Sequence, residues 1–401
     1  MSRFCKPLMT LRSPQALPGN PLIDGHCIVT IKMNRLRDHH LRSILLSLIA
    51  ITFTACRGSD SGSISPSASD NLGQDPTVAV DEPIDTTAAL LVGLPPAQAD
   101  VSAFPVTIEN CDRTLTFTQP PQRAMGLWQP PNEMLLALGV QEQLIGLAGN
   151  YTELPPSLST AAESVPSLGE GLVWPSREVM LTQNPDLVIS EGLEGFAFDP
   201  AQGYATVDEL AKVGIQVIST GSSCNPAEMF TREIDAVYDD LRMLSQVFGV
   251  AERGDVLVER LQQRQAEIVQ AVEGRSPVPT VFYNGGEGPL NVLTAGVWGD
   301  AIRQAGGESV FSEDVFQVAL EDFAASNAEV ILIGTYPGQD GETLKTFLRD
   351  SFPNLPAVQN DRLYPIPTIE TEASVRIMDG LEKIARAIHP DAFNPAIDNG
   401  R

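Results

Sequence analysis

One helix–strand unit occurs twice in this chain, and that repeat constrains the fold more than any other feature. Residues 174–190, WPSREVMLTQNPDLVIS, read as a helix opened by Pro175 and Ser176, a turn at Asn184-Pro185 and a short apolar strand over 187–189. Pro and Ser suit such an opening because the first N–H groups of a helix have no intrahelical partner. Residues 318–335, VALEDFAASNAEVILIGT, repeat the arrangement. Glu178 stands eight residues before Asp186 and its strand, and Glu321 stands eight before Glu329 and the strand 330–333. A unit that returns 143 residues later predicts two similar lobes, each with a glutamate in the first turn of its helix.

The chain has 401 residues, room for two domains with ordinary cores. Its formal charge of −25 argues against nucleic acid, which needs a basic face, and more weakly against a strongly anionic ligand. The charge is unevenly spread: the first 55 residues carry +5 and the rest −30. Met33 begins the basic segment MNRLRDHHLR, followed by an apolar run over 44–53 and then Thr54-Ala55-Cys56. A basic head, an apolar run and small residues before a cut form a secretory signal, and the run is shorter than the roughly 20 residues that span a membrane. With Cys directly after the small residues, the segment resembles a bacterial lipoprotein signal, in which Cys56 is acylated and anchors the mature chain. Residues 1–32 do not fit ahead of such a signal, so translation is expected to begin at Met33. That leaves Cys111 and Cys224 in the exported domain, where cysteines tend to pair.

Residues 57–103 lack aromatics, and Ser fills every second position from Ser59 to Ser69, so 56–103 is expected to be a flexible Ser/Asp-rich tether. From Phe104 the chain alternates. FPVTIENC and TLTFT form a hairpin turning at Asp112-Arg113; RAMGLW and QLIGLAG are strands around the helix PPNEMLLALGV. Such alternation predicts a mostly parallel sheet covered by helices, with ligand loops at the carboxyl ends of its strands. In the first lobe, 104–250, those loops hold Trp128, Gln129, the segment 191–198 and Ser222. Asn225-Pro226 opens a helix with Ile234, Val237, Leu241, Leu244 and Phe248 near a 3.6-residue period, closed by Gly249. A second helix over 251–274 puts Leu257, Leu261, Ile268 and Val272 on one face and is long enough to bridge two lobes. The second lobe, 275–393, starts with TVFYN and ends with the strand RLYPIP and a helix over 374–389.

Several phrases, in this order and spacing, carry a family likeness: PPQRAMGLW with NEMLLALG, the segment 178–189, LAKVGIQVIS, WGDAIRQAGGESVF, the segment 321–333 and LPAVQNDRLYPIP. The chain resembles the periplasmic-type substrate-binding proteins of bacterial ABC importers that carry ferric siderophores, haem and cobalamin. That resemblance covers residues 104 to about 390. It implies two Rossmann-like α/β lobes bridged by one long helix, with the ligand cleft between them. It further implies a monomeric, non-enzymatic, extracytoplasmic protein without a cofactor of its own. Its partners would be a metal chelate and a permease dimer with its ATPase subunits. A subgroup with cysteines near the first strand and before the middle helix is most similar, which implies a Cys111–Cys224 disulfide. The family docks on its permease through one glutamate per lobe, which assigns that role to Glu178 and Glu321.

The cargo is narrowed by what the predicted cleft lacks. The four histidines are His26, His39, His40 and His389, none in a cleft loop, so direct metal capture is disfavoured and a preformed chelate expected. Haem would need a tyrosine, Tyr283 or Tyr336. Trp128, Trp174, Trp298 and Phe196 fall at strand ends and turns, and such aromatics serve lobe packing or an apolar cleft equally well. Arg177, Arg303 and Arg376 are the reachable arginines, few for an anionic catecholate, so a ferric hydroxamate siderophore or a corrinoid is preferred. The expected cleft residues are therefore Trp128, Gln129, Trp174, Phe196, Tyr283, Trp298, Tyr336 and Arg376, with no direct metal ligand. An exported enzyme or a structural surface lipoprotein are the alternatives of another class. The former lacks a catalytic constellation, since neither HExxH, CxxC nor a nucleophile elbow occurs.

Overall fold

A computed structural model describes residues 86–221, 224 and 231–393. The expected extension, the leader with Cys56, Ser222 and the helix opening at Asn225-Pro226 lie outside the described residues. The stretch expected to be a tether through Ala103 is ordered from helix α1 (Thr86–Leu91) onward. Aromatics do not hold it. Arg260 Nη1 donates to the carbonyls of Leu90 at 2.8 Å and Val92 at 2.6 Å, Arg253 Nη1 to that of Pro95 at 2.8 Å, and Leu90 is buried. Composition misses anchoring of this kind, because the groups held are main-chain carbonyls that every residue carries.

Strands β1 (Val106–Asn110) and β2 (Arg113–Phe117) form an antiparallel hairpin in which Asn110 pairs with Arg113. The turn residues are thus Cys111 and Asp112, both at φ 55°, one residue earlier than expected. Two positive φ values match the strands' twist in a two-residue turn. Cys111 is bonded to Cys224, with Cα atoms 5.1 Å apart, so the hairpin is tied to the chain ahead of the middle helix.

The first lobe continues with β3 (Ala124–Gly126), α2 (Gln129–Ala137), β4 (Leu144–Leu147), α3 (Pro156–Ala162) and α4 (Arg177–Gln183). It closes with β5 (Leu187–Glu191), α5 (Val207–Lys212) and β6 (Gln216–Thr220). Its sheet is parallel, in the order β4-β3-β5-β6. Helices α6 (Asp235–Val247) and α7 (Ala251–Val272) follow, separated by Gly249 at φ 72°. The predicted stripe of α7, Leu257, Leu261, Ile268 and Val272, is buried.

The second lobe contains β7 (Val278–Tyr283), β8 (Leu290–Asn291), α8 (Gly296–Gln304), β9 (Gly307–Ser309), β10 (Gln317–Val318) and α9 (Leu320–Ala324). Then come β11 (Val330–Thr335), α10 (Gly341–Ser351), α11 (Pro356–Gln359), β12 (Leu363–Pro367) and α12 (Ile377–Ile388). Its main sheet is also parallel, β12-β11-β7-β9, with β8 and β10 as a small antiparallel pair.

The sequence repeat is a structural repeat. β5 and β11 each lie between two paired neighbours, which is why both read as nearly continuous apolar runs. Each helix of the pair is followed by an Asn in the left-handed region, Asn184 at φ 47° and Asn327 at φ 54°, two residues before the acid that leads into the strand. Asn tolerates that conformation better than other side chains. In the first copy Ser176 caps the helix by accepting from Val179 N, so Pro175 lies just outside it; in the second, Ala319 offers no side-chain cap. α7 packs on α6 and on α12, and one continuous core runs from Leu135 and Ile189 through Leu261 to Leu332 and Ile384.

Candidate functional site

The strand ends of the first lobe gather an aromatic cluster. Trp128 follows β3 directly and stacks on Trp174 at 5.6 Å between ring centroids, with the planes only 10° apart. Phe196 lies 5.2 Å and Tyr151 5.9 Å from the Trp128 ring, and Tyr204 meets Trp174 edge-on. The stack needs a close backbone approach. Gly149, at φ +76°, passes so near that an added Cβ would lie 2.9 Å from both Trp174 Nε1 and the Leu127 carbonyl. Trp174 Nε1 donates to that carbonyl at 2.6 Å, so Trp174 is a buried backing for Trp128. Phe196, in contrast, is 48 % exposed.

Gln129 has a different place from the one expected. It is fully buried, its Nε2 donates to Thr152 and Glu133, and its Oε1 accepts from the main-chain N–H groups of Tyr151 and Thr152. It braces the loop that presents Tyr151 and offers a ligand nothing. Tyr283 is also turned away: its ring stacks on Phe347 in the core of the second lobe and its hydroxyl donates to Gly286 O. Both stand at strand ends, but the residue that faces a cleft is set by pleat and packing, which strand-end position alone does not determine.

Tyr336, at the end of β11, is partly exposed, and its hydroxyl accepts from Asn284 Nδ2 at 3.2 Å. Trp298 is half-buried on α8 and donates to Thr371 Oγ1 at 3.1 Å. Arg376 is committed to carboxylates: Nη2 is 3.2 Å from Glu370 Oε1, and Nη1 stands 3.6 Å from Glu133 Oε1, an ion pair without a hydrogen bond. Lys383 closes on the other Glu370 oxygen at 2.6 Å. Arg177 and Arg303, the other arginines expected within reach, pair with Glu209 and with Glu233 and Asp300.

The two lobes meet through groups that strand-end reasoning did not single out. Tyr151 donates to Glu372 Oε1 at 2.5 Å, joining the loop after β4 to the segment after β12. Glu191 ends β5, its side chain against Gly221, and no ion pair reaches Glu191 or Glu372 among the described residues. Burial is the main cause that raises the Glu191 carboxyl well above its usual range, with the charges of Glu372 and then Asp240 adding to it. The Trp128 indole N–H eases the Glu191 charge without forming a hydrogen bond. Burial likewise pushes Glu372 up to about 7, against the pull of the Tyr151 hydroxyl, and Glu133 up to about 7 despite Arg376. Burial and the neighbouring Glu372 raise the Tyr151 hydroxyl far out of its ordinary range. A signal for Glu372 exists in the sequence: TIETEASVR follows the last strand, where a strand-end loop belongs.

Residues 129–369, more than half of the chain, match the family model described as Periplasmic binding protein. The chain belongs to the periplasmic binding protein family. It is similar to an uncharacterised ABC transporter substrate-binding lipoprotein of Bacillus subtilis, YvrC, at 22 % identity over 311 residues, 74 % of this chain and 90 % of that one. Among solved structures, a periplasmic binding protein from Veillonella parvula is similar with a TM-score of 0.63 and 20 % identity, covering 71 % of this chain and 97 % of the other. An ABC-type Fe3+-hydroxamate transport system protein from Saccharomonospora viridis is similar with a TM-score of 0.57 and 28 % identity, covering 71 % and 99 %. In this family's terms, the aromatic and acidic groups at the strand ends face one another across the two lobes.

Proposed function

We propose that the chain is the extracytoplasmic substrate-binding protein of an ABC importer and that its cargo is a metal chelate, first of all a ferric hydroxamate siderophore. One observation carries the choice of cargo: the cleft side presents the partly exposed rings of Trp128, Phe196 and Tyr336, while its arginine, Arg376, is already shared by two carboxylates. Such a surface suits an apolar, low-charge ligand and offers an anionic catecholate no free guanidinium. The likeness to the hydroxamate transport protein points the same way. The flat Trp128–Trp174 stack also favours a corrinoid as the second reading.

Delivery to a permease is assigned to Glu178 and Glu321. Each occupies the second position of its helix, is exposed, and has no ion pair among the described residues. Exposed aliphatic side chains flank each one in sequence, Val179 beside Glu178 and Leu320 beside Glu321. An exposed carboxylate with an aliphatic neighbour suits contact with guanidinium groups of a two-subunit membrane partner. Anchoring is assigned to Cys56, in keeping with the lipoprotein relative.

The test is thermal unfolding of the exported domain with ferric hydroxamates, ferric catecholates, cobalamin and haem. At a hundredfold excess over Kd, the true cargo adds about 2.7 kcal/mol by mass action. Stabilisation by a hydroxamate chelate or a corrinoid without turnover supports the reading. A panel without any stabilising chelate overturns it.

A further inference from the structure

The cleft holds more carboxyl groups than its own cations pair. Glu133 and Glu370 have Arg376 and Lys383 as counter-ions. Among the described residues neither Glu191 nor Glu372 has an ion-pair partner, although the charge of Glu372 in the second lobe acts on Glu191 in the first. Glu372 Oε1 accepts from Tyr151, but its Oε2 is buried without a partner, as is the N–H of Trp128 beside Glu191. Fully buried Glu133 likewise leaves one oxygen, Oε2, unpartnered. Burying carboxylates without a counter-charge costs stability, and unfilled polar atoms of this kind persist where something else completes them.

The aromatic cluster supplies an independent pointer. Phe196 and Tyr151 stand with centroids 5.2 and 5.9 Å from the Trp128 ring, and the Trp128 ring lies beside Glu191. Ring faces carry negative quadrupole density and attract a cation within about 6 Å. Rings and carboxylates at one spot therefore favour one sign of charge, and Arg376 is already engaged with two carboxylates.

We propose that the cleft selects a cationic cargo: a chelate bearing a protonated amine or a net positive charge, seated between Glu191 and Glu372 against the faces of Trp128, Tyr151 and Phe196. This rests on the reading of the cleft as the cargo site and adds the charge of the cargo to it. Without ligand, burial shifts both carboxyls toward their protonated forms. A cation favours their ionised forms, so binding releases protons and tightens as pH rises. The groups that face the pair are consistent with this: Asp240, Trp128 and Glu372 around Glu191, and Tyr151 and Glu133 around Glu372. Arg376 is engaged with Glu133 and Glu370, and Arg232 with Asp240.

Calorimetry with matched ligands tests the proposal. One pair is the ferric complex of a linear trihydroxamate with a free terminal amine and the same complex N-acetylated. The other is aquocobalamin, a cation, and cyanocobalamin, which is neutral. The cationic member of the pair that binds is expected to bind at least 10-fold tighter at pH 7.5, with an advantage that shrinks toward pH 6 and with proton release seen as buffer-dependent heat. In Glu191→Gln with Glu372→Gln the ratio is expected to fall close to one. Equal affinities in the native protein, or tighter binding of the neutral member, overturn the charge preference and leave the chelate reading standing. If no member of either pair binds, the chelate reading fails and this proposal falls with it. The native protein alone decides the preference, so the outcome does not depend on the variants folding.

Discussion

The two lobes share a fold but place their aromatic residues oppositely. In the first, Trp128, Tyr151, Trp174, Phe196 and Tyr204 gather beyond the ends of the strands. In the second, Tyr283, Phe311, Phe323, Phe347 and Phe352 pack on one another inside the lobe. What the second lobe adds at its strand ends is mainly polar, Glu372, Asn284 and the committed Arg376, beside the exposed ring of Tyr336. The strand ends of the first lobe are thus mainly aromatic and those of the second mainly polar. In the repeated unit the lobes are alike again, with Glu178 and Glu321 exposed at the same position of its helix.

The likeness of the repeated units gives the largest expected effect. Glu178→Ala combined with Glu321→Ala should lower transport and ATPase stimulation by at least ~100-fold, while cargo affinity stays within about twofold, because lost charge-assisted contacts act at the permease. Transport assays beside ligand titration check this. Normal transport by the double variant removes the docking role, and a loss of cargo binding moves these residues to the cleft.

The contrast in aromatics predicts a crossed pair of results. Phe323 is fully buried, and Phe323→Ala should cost about 3–5 kcal/mol in denaturant unfolding with cargo affinity unchanged. Phe196 is 48 % exposed, and Phe196→Ala should change stability by less than about 0.5 kcal/mol, as surface changes do, while weakening cargo ~10-fold. If both variants lose stability alone, the first lobe's cluster is a core extension and the contrast between lobes disappears.

The smallest effect is in the ligand-free protein. Glu372 and Glu133 titrate near 7 when folded against an ordinary value of 4.5. A carboxyl raised by folding contributes stability that is present below its unfolded value and lost as pH rises through the folded one. Between pH 5 and 7.5 the melting temperature should therefore fall by a few degrees as pH rises, and Glu372→Gln should flatten part of that slope. Differential scanning calorimetry decides; a melting temperature that climbs over this range contradicts the burial of these groups.

The repeat unit was the most legible part of the sequence, because an acid, an Asn and an apolar strand at fixed spacing report local hydrogen bonding and burial together. The α7 stripe was legible for the same reason: Leu257, Leu261 and Ile268 obey a local period. Trp128, Trp174 and Phe196 were found from strand-end position and do come together. Gln129 and Tyr283 were picked by the same rule, yet the first is used up by the Tyr151 loop and the second by the core. Tyr151 and Glu372 escaped because their partnership spans 221 residues of sequence and exists only once the lobes have met. The ordered stretch before Phe104 escaped because main-chain carbonyls leave no trace in composition.

The core that runs along α7 has a consequence for how the chain comes undone. Side chains of both sheets, of α7 and of α12 belong to one continuous apolar body, and α12, the last helix described, packs on both α1 and α7. Neither half can shed water-excluding contacts without opening the other, so heating should yield a single cooperative transition where two domains on a tether would give two. The same closure means that the earliest ordered helix waits for the latest one, and a chain lacking its final helix has no finished half to fall back on.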